Sequence, residues 1–241
     1  MSTVYLSAAR APSRRRGAFR PSPATPLWVA GLCVIALALT WVVAALVPAT
    51  HVKDAVALYD FTLLGAPRLD DVANALLHLL DPLLYILWGV MLMVVELRRG
   101  RPRVALAVGL VLGLAPLTAE TLKPLLAHQH AWVGGGWVNA ASWPSGHATA
   151  ATALALCAVL VAPARLRPLV ATLGVMFMAA VGVSLLILAW HLPSDVLGGY
   201  LVGTLWAALA VAGLRAAEVR SRSRGPGSRA RAVGAGVPQG L

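Results

Sequence analysis

From about residue 27 to residue 214 the chain is a series of long apolar runs, each broken by a short polar or basic gap. A helix needs about 20 mostly apolar residues to cross a bilayer core. Six stretches meet or approach that length: Leu27 to Val47, Ala75 to Leu97, Val104 to Leu122, His147 to Ala162, Leu169 to Trp190 and Val196 to Leu214. The fourth is short and must begin close to the membrane surface. It stops at Pro163, and Pro168 opens the next run at a position where proline is tolerated. The pattern predicts an all-α protein, a bundle of six transmembrane helices over residues 27–215. In the first loop, Pro48 to about Asn74, the stretch Val52 to Leu64 suits a short interfacial helix of modest amphipathicity. Gly109/Gly113 and Gly199/Gly203 form G-x-x-x-G pairs, expected to pack helices within the chain.

The basic residues orient this bundle. Arg10, Arg14, Arg15, Arg16 and Arg20 precede the first run; Arg98, Arg99, Arg101 and Arg103 fill the second gap. Arg165 and Arg167 fill the fourth, and Arg215, Arg220, Arg222, Arg224, Arg229 and Arg231 follow the last run. Only Lys53, Arg68 and Lys123 fall in or beside the alternate loops. The positive-inside rule then predicts a multi-pass protein of the cell membrane with both termini cytoplasmic and the first, third and fifth loops outside. Trp132, Trp137, Trp143 and Trp190 lie near that outer boundary, as interfacial anchors do. Residues 1–26 and 216–241, rich in Arg, Ser, Pro, Gly and Ala, read as disordered basic tails. The first run, at about 20 apolar residues, exceeds the 7–15 of a signal peptide core and is expected to remain as a membrane span.

Composition agrees with the pattern. The chain has 241 residues, 59% hydrophobic and 12% charged, with a mean hydropathy of +0.77. Soluble domains carry about 25% charged residues, so a soluble globular protein is excluded. The formal net charge of +11 sits in alternate gaps and tails, which marks membrane anchors and not a nucleic-acid-binding face. Cys33 and Cys157 each lie inside an apolar run, so neither a disulfide framework nor a zinc site is expected.

Polar residues converge on the outer ends of the later spans. Lys123 ends the third; Ser145, Gly146 and His147 open the fourth; His191 and Asp195 flank the turn from the fifth to the sixth. In Trp143-Pro144-Ser145-Gly146-His147, serine is a good N-cap and glycine lets a ligand approach the backbone. The unpaired first-turn N–H groups and the helix dipole make an anion site there, and His147 can give a proton to an oxygen leaving that anion. Such a segment also serves as an ordinary capped helix with an interfacial histidine. Asp195 lies four residues after His191, so its carboxylate can hold one ring nitrogen and leave the other unprotonated, as a nucleophile or base. The same pair can simply stitch two helices together. Glu120, one turn before Lys123, is expected to orient it.

With these residues in view, the sequence resembles the type 2 phosphatidic acid phosphatase (PAP2) superfamily. That family's pattern is K-x6-R-P, then P-S-G-H, then S-R-x5-H-x3-D. Lys123 matches the first lysine, Pro144 to His147 match the second motif completely, and Ser184, His191 and Asp195 match the third at its spacing. The motifs cover about Leu122 to Gly199, and the six-span architecture agrees over the whole bundle. Both family arginines are replaced: the first falls at His130, followed by Ala131 in place of proline, and the second at Leu185. A leucine cannot grip phosphate oxygens, and a histidine does so only as a cation or through a single neutral donor.

The resemblance implies a metal-independent lipid phosphatase needing no cofactor, with its pocket on the extracytoplasmic face. Catalytic roles would fall to His191 as nucleophile, Asp195 as its orienting carboxylate and His147 as acid and base. Phosphate-binding roles would fall to Lys123, Ser145, Gly146 and His130. The substrate would be a lipid phosphate in the bilayer: phosphatidic acid, phosphatidylglycerol phosphate, or a polyprenyl phosphate or diphosphate. Loss of both arginines leaves open a catalytically weak or inactive protein that binds a lipid phosphate. A small transporter would require charges through the bundle, where only His78, Asp81, Glu96 and Glu120 stand as candidates, and His128 with His130 offers a minimal metal-ligand pattern.

Overall fold

A computed structural model describes residues 22–129 and 138–223, and among these residues it contains eight α-helices and no strand. These are α1 (Ala24–Leu46), α2 (Pro48–Thr62), α3 (Pro67–His78), α4 (Pro82–Arg98), α5 (Pro102–Leu125), α6 (Gly146–Val161), α7 (Arg167–Ile187) and α8 (Pro193–Ser223). Proline stands at the first or second position of six of them, α2, α3, α4, α5, α7 and α8, where its missing N–H costs nothing and its fixed φ suits the helix.

Among the described residues four helices, α1, α5, α7 and α8, are long and apolar enough to cross a membrane, and α3 with α4 passes the same test only as a bent pair, a broken span or a re-entrant loop. The predicted second span from Ala75 to Leu97 is therefore not one straight helix. Pro82 cannot donate an N–H to a continuing helix, so α3 ends at His78 and α4 restarts at Pro82, with a bend of 52°. The interfacial helix begins earlier than predicted, at Pro48, and α3 is an addition in what read as a loop. α6, at 16 residues, is about 24 Å long, short of the roughly 30 Å hydrocarbon core, in keeping with its short apolar run. α8 continues past Leu214 to Ser223, into the stretch expected to be a disordered tail.

α6 is the axis of the bundle. Its Ala148, Ala151 and Ala153 are wholly buried, and it packs against α4, α5, α7 and α8. Such small side chains allow close helix approach, which the facing glycines of α8 complete. A Cβ added at Gly199 would fall 2.5 Å from the Ser145 carbonyl oxygen, and one at Gly203 would fall 2.6 Å from Thr152 Cβ. The Gly199/Gly203 pair thus packs helices within the chain. Gly199→Leu is expected to wedge α8 away from α6 at a cost of about 1–3 kcal/mol, read as a lower melting temperature of the purified protein.

Candidate active site

The α6 N-terminus forms as its sequence dictates. Ser145 is the N-cap: its Oγ accepts from the Ala148 N–H at 3.4 Å, and its carbonyl oxygen accepts from the Thr149 N–H at 3.1 Å. The Ser145 side chain is fully buried beneath the cap, and its hydroxyl proton remains a donor. The preceding Trp143–Pro144 bond is cis, and the indole is buried against Gly198 of α8.

Lys123 arrives from the end of α5. Its Nζ pairs with Glu120 Oε1 at 2.6 Å, the partner that the one-turn spacing leads one to expect. Both groups press on the start of α6: a Cβ added at Gly146 would lie 2.8 Å from Glu120 Oε1 and 3.6 Å from Lys123 Nζ. A side chain at 146 would have to displace the Glu120 carboxylate, and glycine leaves the Lys123 ammonium room beside the positive end of the helix dipole. An ammonium and the positive end of a helix dipole thus meet at one place, with the Glu120 carboxylate as the ammonium's partner.

His191 and Asp195 approach from the turn between α7 and α8. Asp195 Oδ2 lies 3.3 Å from His191 Nδ1 and accepts the Leu192 N–H at 3.0 Å. A carboxylate only accepts, so the Nδ1 proton is fixed on that side and Nε2 of the neutral ring keeps its lone pair. Asp195 is completely buried, while the His191 side chain keeps 12% of its surface exposed. The Asp195 backbone oxygen accepts the Ser145 N–H at 2.9 Å, so one hydrogen bond ties the α8 and α6 starts together. A second tie comes from α2, where Asp54 Oδ1 accepts the Ser194 N–H at 3.2 Å and Oδ2 accepts the Ser194 hydroxyl at 2.5 Å. That carboxylate caps α8 from 140 residues away, and no local spacing announces it.

His147 lies between the two halves. Its ring meets Trp190 edge-on with centroids 5.7 Å apart, and it is within electrostatic reach of His191, Lys123, Asp81 and Glu120. Asp81, at the bend between α3 and α4, also pairs with His78 Nδ1 at 3.0 Å. Lys123, Ser145, Gly146, His147, His191 and Asp195 thus meet at one end of the bundle. His130, the remaining predicted phosphate contact, lies outside the described residues. Leu185 is fully buried in an apolar cluster with Ala148, Ala151, Val181, Leu192 and Val196. His128 packs near His51, with ring centroids 6.3 Å apart. Among the described residues no group of three or more His, Cys, Asp or Glu side chains is arranged to hold a metal. Asp54, Asp81 and Trp190 are the parts of the site that sequence reasoning did not assign to it.

A sequence model of the PAP2 superfamily matches residues 104–217, which span α5 to α8 and carry Lys123, Ser145, Gly146, His147, His191 and Asp195. No curated protein matches the chain. A solved structure described as the first transmembrane PAP2-type phosphatidylglycerolphosphate phosphatase from Bacillus subtilis superposes with a TM-score of 0.59. That likeness covers 79% of this chain and 94% of that one at 21% sequence identity, and what it demonstrates is a shared membrane fold.

Proposed function

The chain belongs to the PAP2 superfamily, and from that premise we propose that it is a membrane-embedded, metal-independent lipid phosphatase acting at the extracytoplasmic face. The observation that carries the reading is the His191–Asp195 pair, set beside His147 and the α6 N-terminus in one cluster. His191 Nε2 attacks phosphorus, the bond from phosphorus to the leaving oxygen breaks, and His147 donates a proton to that oxygen. The product is a phosphohistidine, whose cationic ring Asp195 stabilises. His147, now neutral, takes a proton from water, which displaces His191 and releases inorganic phosphate. Lys123, the Gly146 N–H, the Ser145 hydroxyl and His130 would hold the nonbridging oxygens, where charge must be stabilised.

The substrate class is a lipid phosphomonoester or diphosphate: phosphatidic acid, phosphatidylglycerol phosphate, or a polyprenyl phosphate or diphosphate. A panel of these lipids, assayed with purified protein in EDTA, tests the reading; release of phosphate undiminished by EDTA is expected. His147→Ala should slow alkyl phosphates far more than activated aryl phosphates, whose leaving groups depart without a proton. Equal losses on both would remove His147 from the acid role.

One observation favours a second reading, a lipid-phosphate-binding protein that does not turn its ligand over. Leu185 occupies the place of a family arginine and is buried among apolar side chains, while Lys123 is shared with Glu120. Binding of a lipid phosphate without phosphate release in the same panel would select it.

The placement has its own test. Single cysteines at Asn139 and at Gly100, both exposed positions, should label oppositely with an impermeant thiol reagent in intact cells. Asn139 is expected to react and Gly100 to be protected. The reverse pattern would put the site on the cytoplasmic side.

A further inference from the structure

At the end of the bundle opposite His191, a cleft of about 560 Å³ opens between α1, α5, α6 and α8. That volume is within the range of about 300–1,000 Å³ typical of small-molecule sites. Its walls are apolar, with Val104, Leu160 and Val211 among them, and its rim holds Arg101, Arg167 and Arg215 together with Glu218.

The three guanidiniums come from different segments, and each is anchored through one nitrogen. Arg101 Nη1 pairs with the fully buried Glu96 carboxylate at 3.0 Å; Arg167 Nε donates to the Ala162 carbonyl at 3.1 Å; Arg215 Nη1 donates to the Ser22 carbonyl at 3.0 Å. A guanidinium has five N–H donors, so each keeps further donors for a ligand while its position is set. Against these three arginines the described lining holds one acid, Glu218, and Glu96 faces Arg101 from behind, so the rim stays net cationic.

An apolar cleft with a cationic rim fits an amphiphile with an anionic head. We propose that this cleft binds a diacyl phospholipid with an anionic head group, an acyl chain between the helices and the phosphate among Arg101, Arg167 and Arg215. Basic pockets between transmembrane helices bind such head groups, and a choline head would bring its own cation against the arginines. The site is separate from the phosphatase centre by the length of α5, α6 and α8, and it stands whether or not the chain hydrolyses lipid phosphates.

The test is native mass spectrometry of the delipidated full-length protein, titrated with phosphatidylglycerol and with phosphatidylcholine. Phosphatidylglycerol is expected to bind at least about tenfold more tightly. Each rim charge should contribute roughly fivefold. Arg167→Gln with Arg215→Gln should then weaken phosphatidylglycerol by roughly 25-fold, while Arg165→Gln, an exposed arginine off the cleft, changes it little. Since the double variant also removes two hydrogen bonds to backbone, Glu218→Gln gives a gentler reading: loss of a repelling carboxylate should tighten phosphatidylglycerol about fivefold. Equal affinity for the two lipids, an Arg165→Gln loss as large as the double variant's, or no response to Glu218→Gln would each overturn the proposal.

Discussion

His191→Ala is expected to lower kcat on a lipid phosphate by about 10⁴-fold or more, as removal of an enzyme nucleophile does. Of the two neighbouring imidazoles only His191 is oriented by a buried carboxylate, while Lys123 is held in an ion pair by Glu120 and Ser145 serves as the α6 N-cap. Folding should survive, because the one hydrogen bond that the ring makes to Asp195 leaves the Leu192 N–H still bonded to the same carboxylate oxygen. Asp195→Asn should cost about 10²–10⁴-fold, by analogy with the loss of an orienting carboxylate elsewhere. An amide can present its NH₂ to Nδ1, which favours the tautomer with Nε2 protonated and therefore without a nucleophilic lone pair. Steady-state rates measured beside melting curves check both variants. A His191→Ala protein with wild-type turnover would remove the covalent route.

Leu185→Arg, which restores a residue that the family pattern calls for, is expected to lose the folded protein instead of gaining affinity. Leu185 has no exposed surface and is enclosed by Ala148, Ala151, Val181, Leu192 and Val196. A guanidinium there adds overpacking of about 1–3 kcal/mol to a charge penalty of up to about 2.5–3.5 kcal/mol at the membrane centre. Against a total stability of about 5–15 kcal/mol, that sum removes much of the margin. Leu185→Met, which nearly conserves volume, should cost less than about 1.5 kcal/mol. The check is the yield of monodisperse protein by size-exclusion chromatography, with wild type and Leu185→Met as references. A well-folded Leu185→Arg protein with a lower KM would show that the side chain reaches the phosphate site.

The local contacts of the candidate site were legible in the sequence because its groups sit at short, fixed spacings. A serine before a helix predicts its cap, a carboxylate four residues after a histidine predicts their pair, and Glu120 three residues before Lys123 predicts a bridge. Each of these contacts appears in the fold. The long helices α1, α5, α7 and α8 were legible for a similar reason, as apolar runs of bilayer length. What the pattern could not give were contacts between distant segments. Asp54 lies in a weakly amphipathic stretch, yet it caps α8; Trp190 read as a membrane anchor, yet its ring meets His147. Hydropathy also smoothed over the bend before α4, since Leu79 and Leu80 keep the apolar run continuous while Pro82 breaks the hydrogen-bond ladder. α8 passes Leu214 because Ala216, Ala217 and Glu218 are good helix formers, a propensity hidden by a composition that read as a tail.

The phosphoryl-enzyme on His191 is the feature that separates a phosphatase from a protein that only holds a lipid phosphate. Purified wild-type protein and His191→Ala should be mixed with ³²P-labelled lipid phosphate, quenched within milliseconds in denaturant at alkaline pH, digested and mapped. The expected result is an acid-labile, alkali-stable label on the peptide containing His191, formed and discharged at rates no slower than turnover and absent from His191→Ala. Lipid phosphate turned over with no such label, or with label on another residue, would contradict the assignment of His191 as the nucleophile.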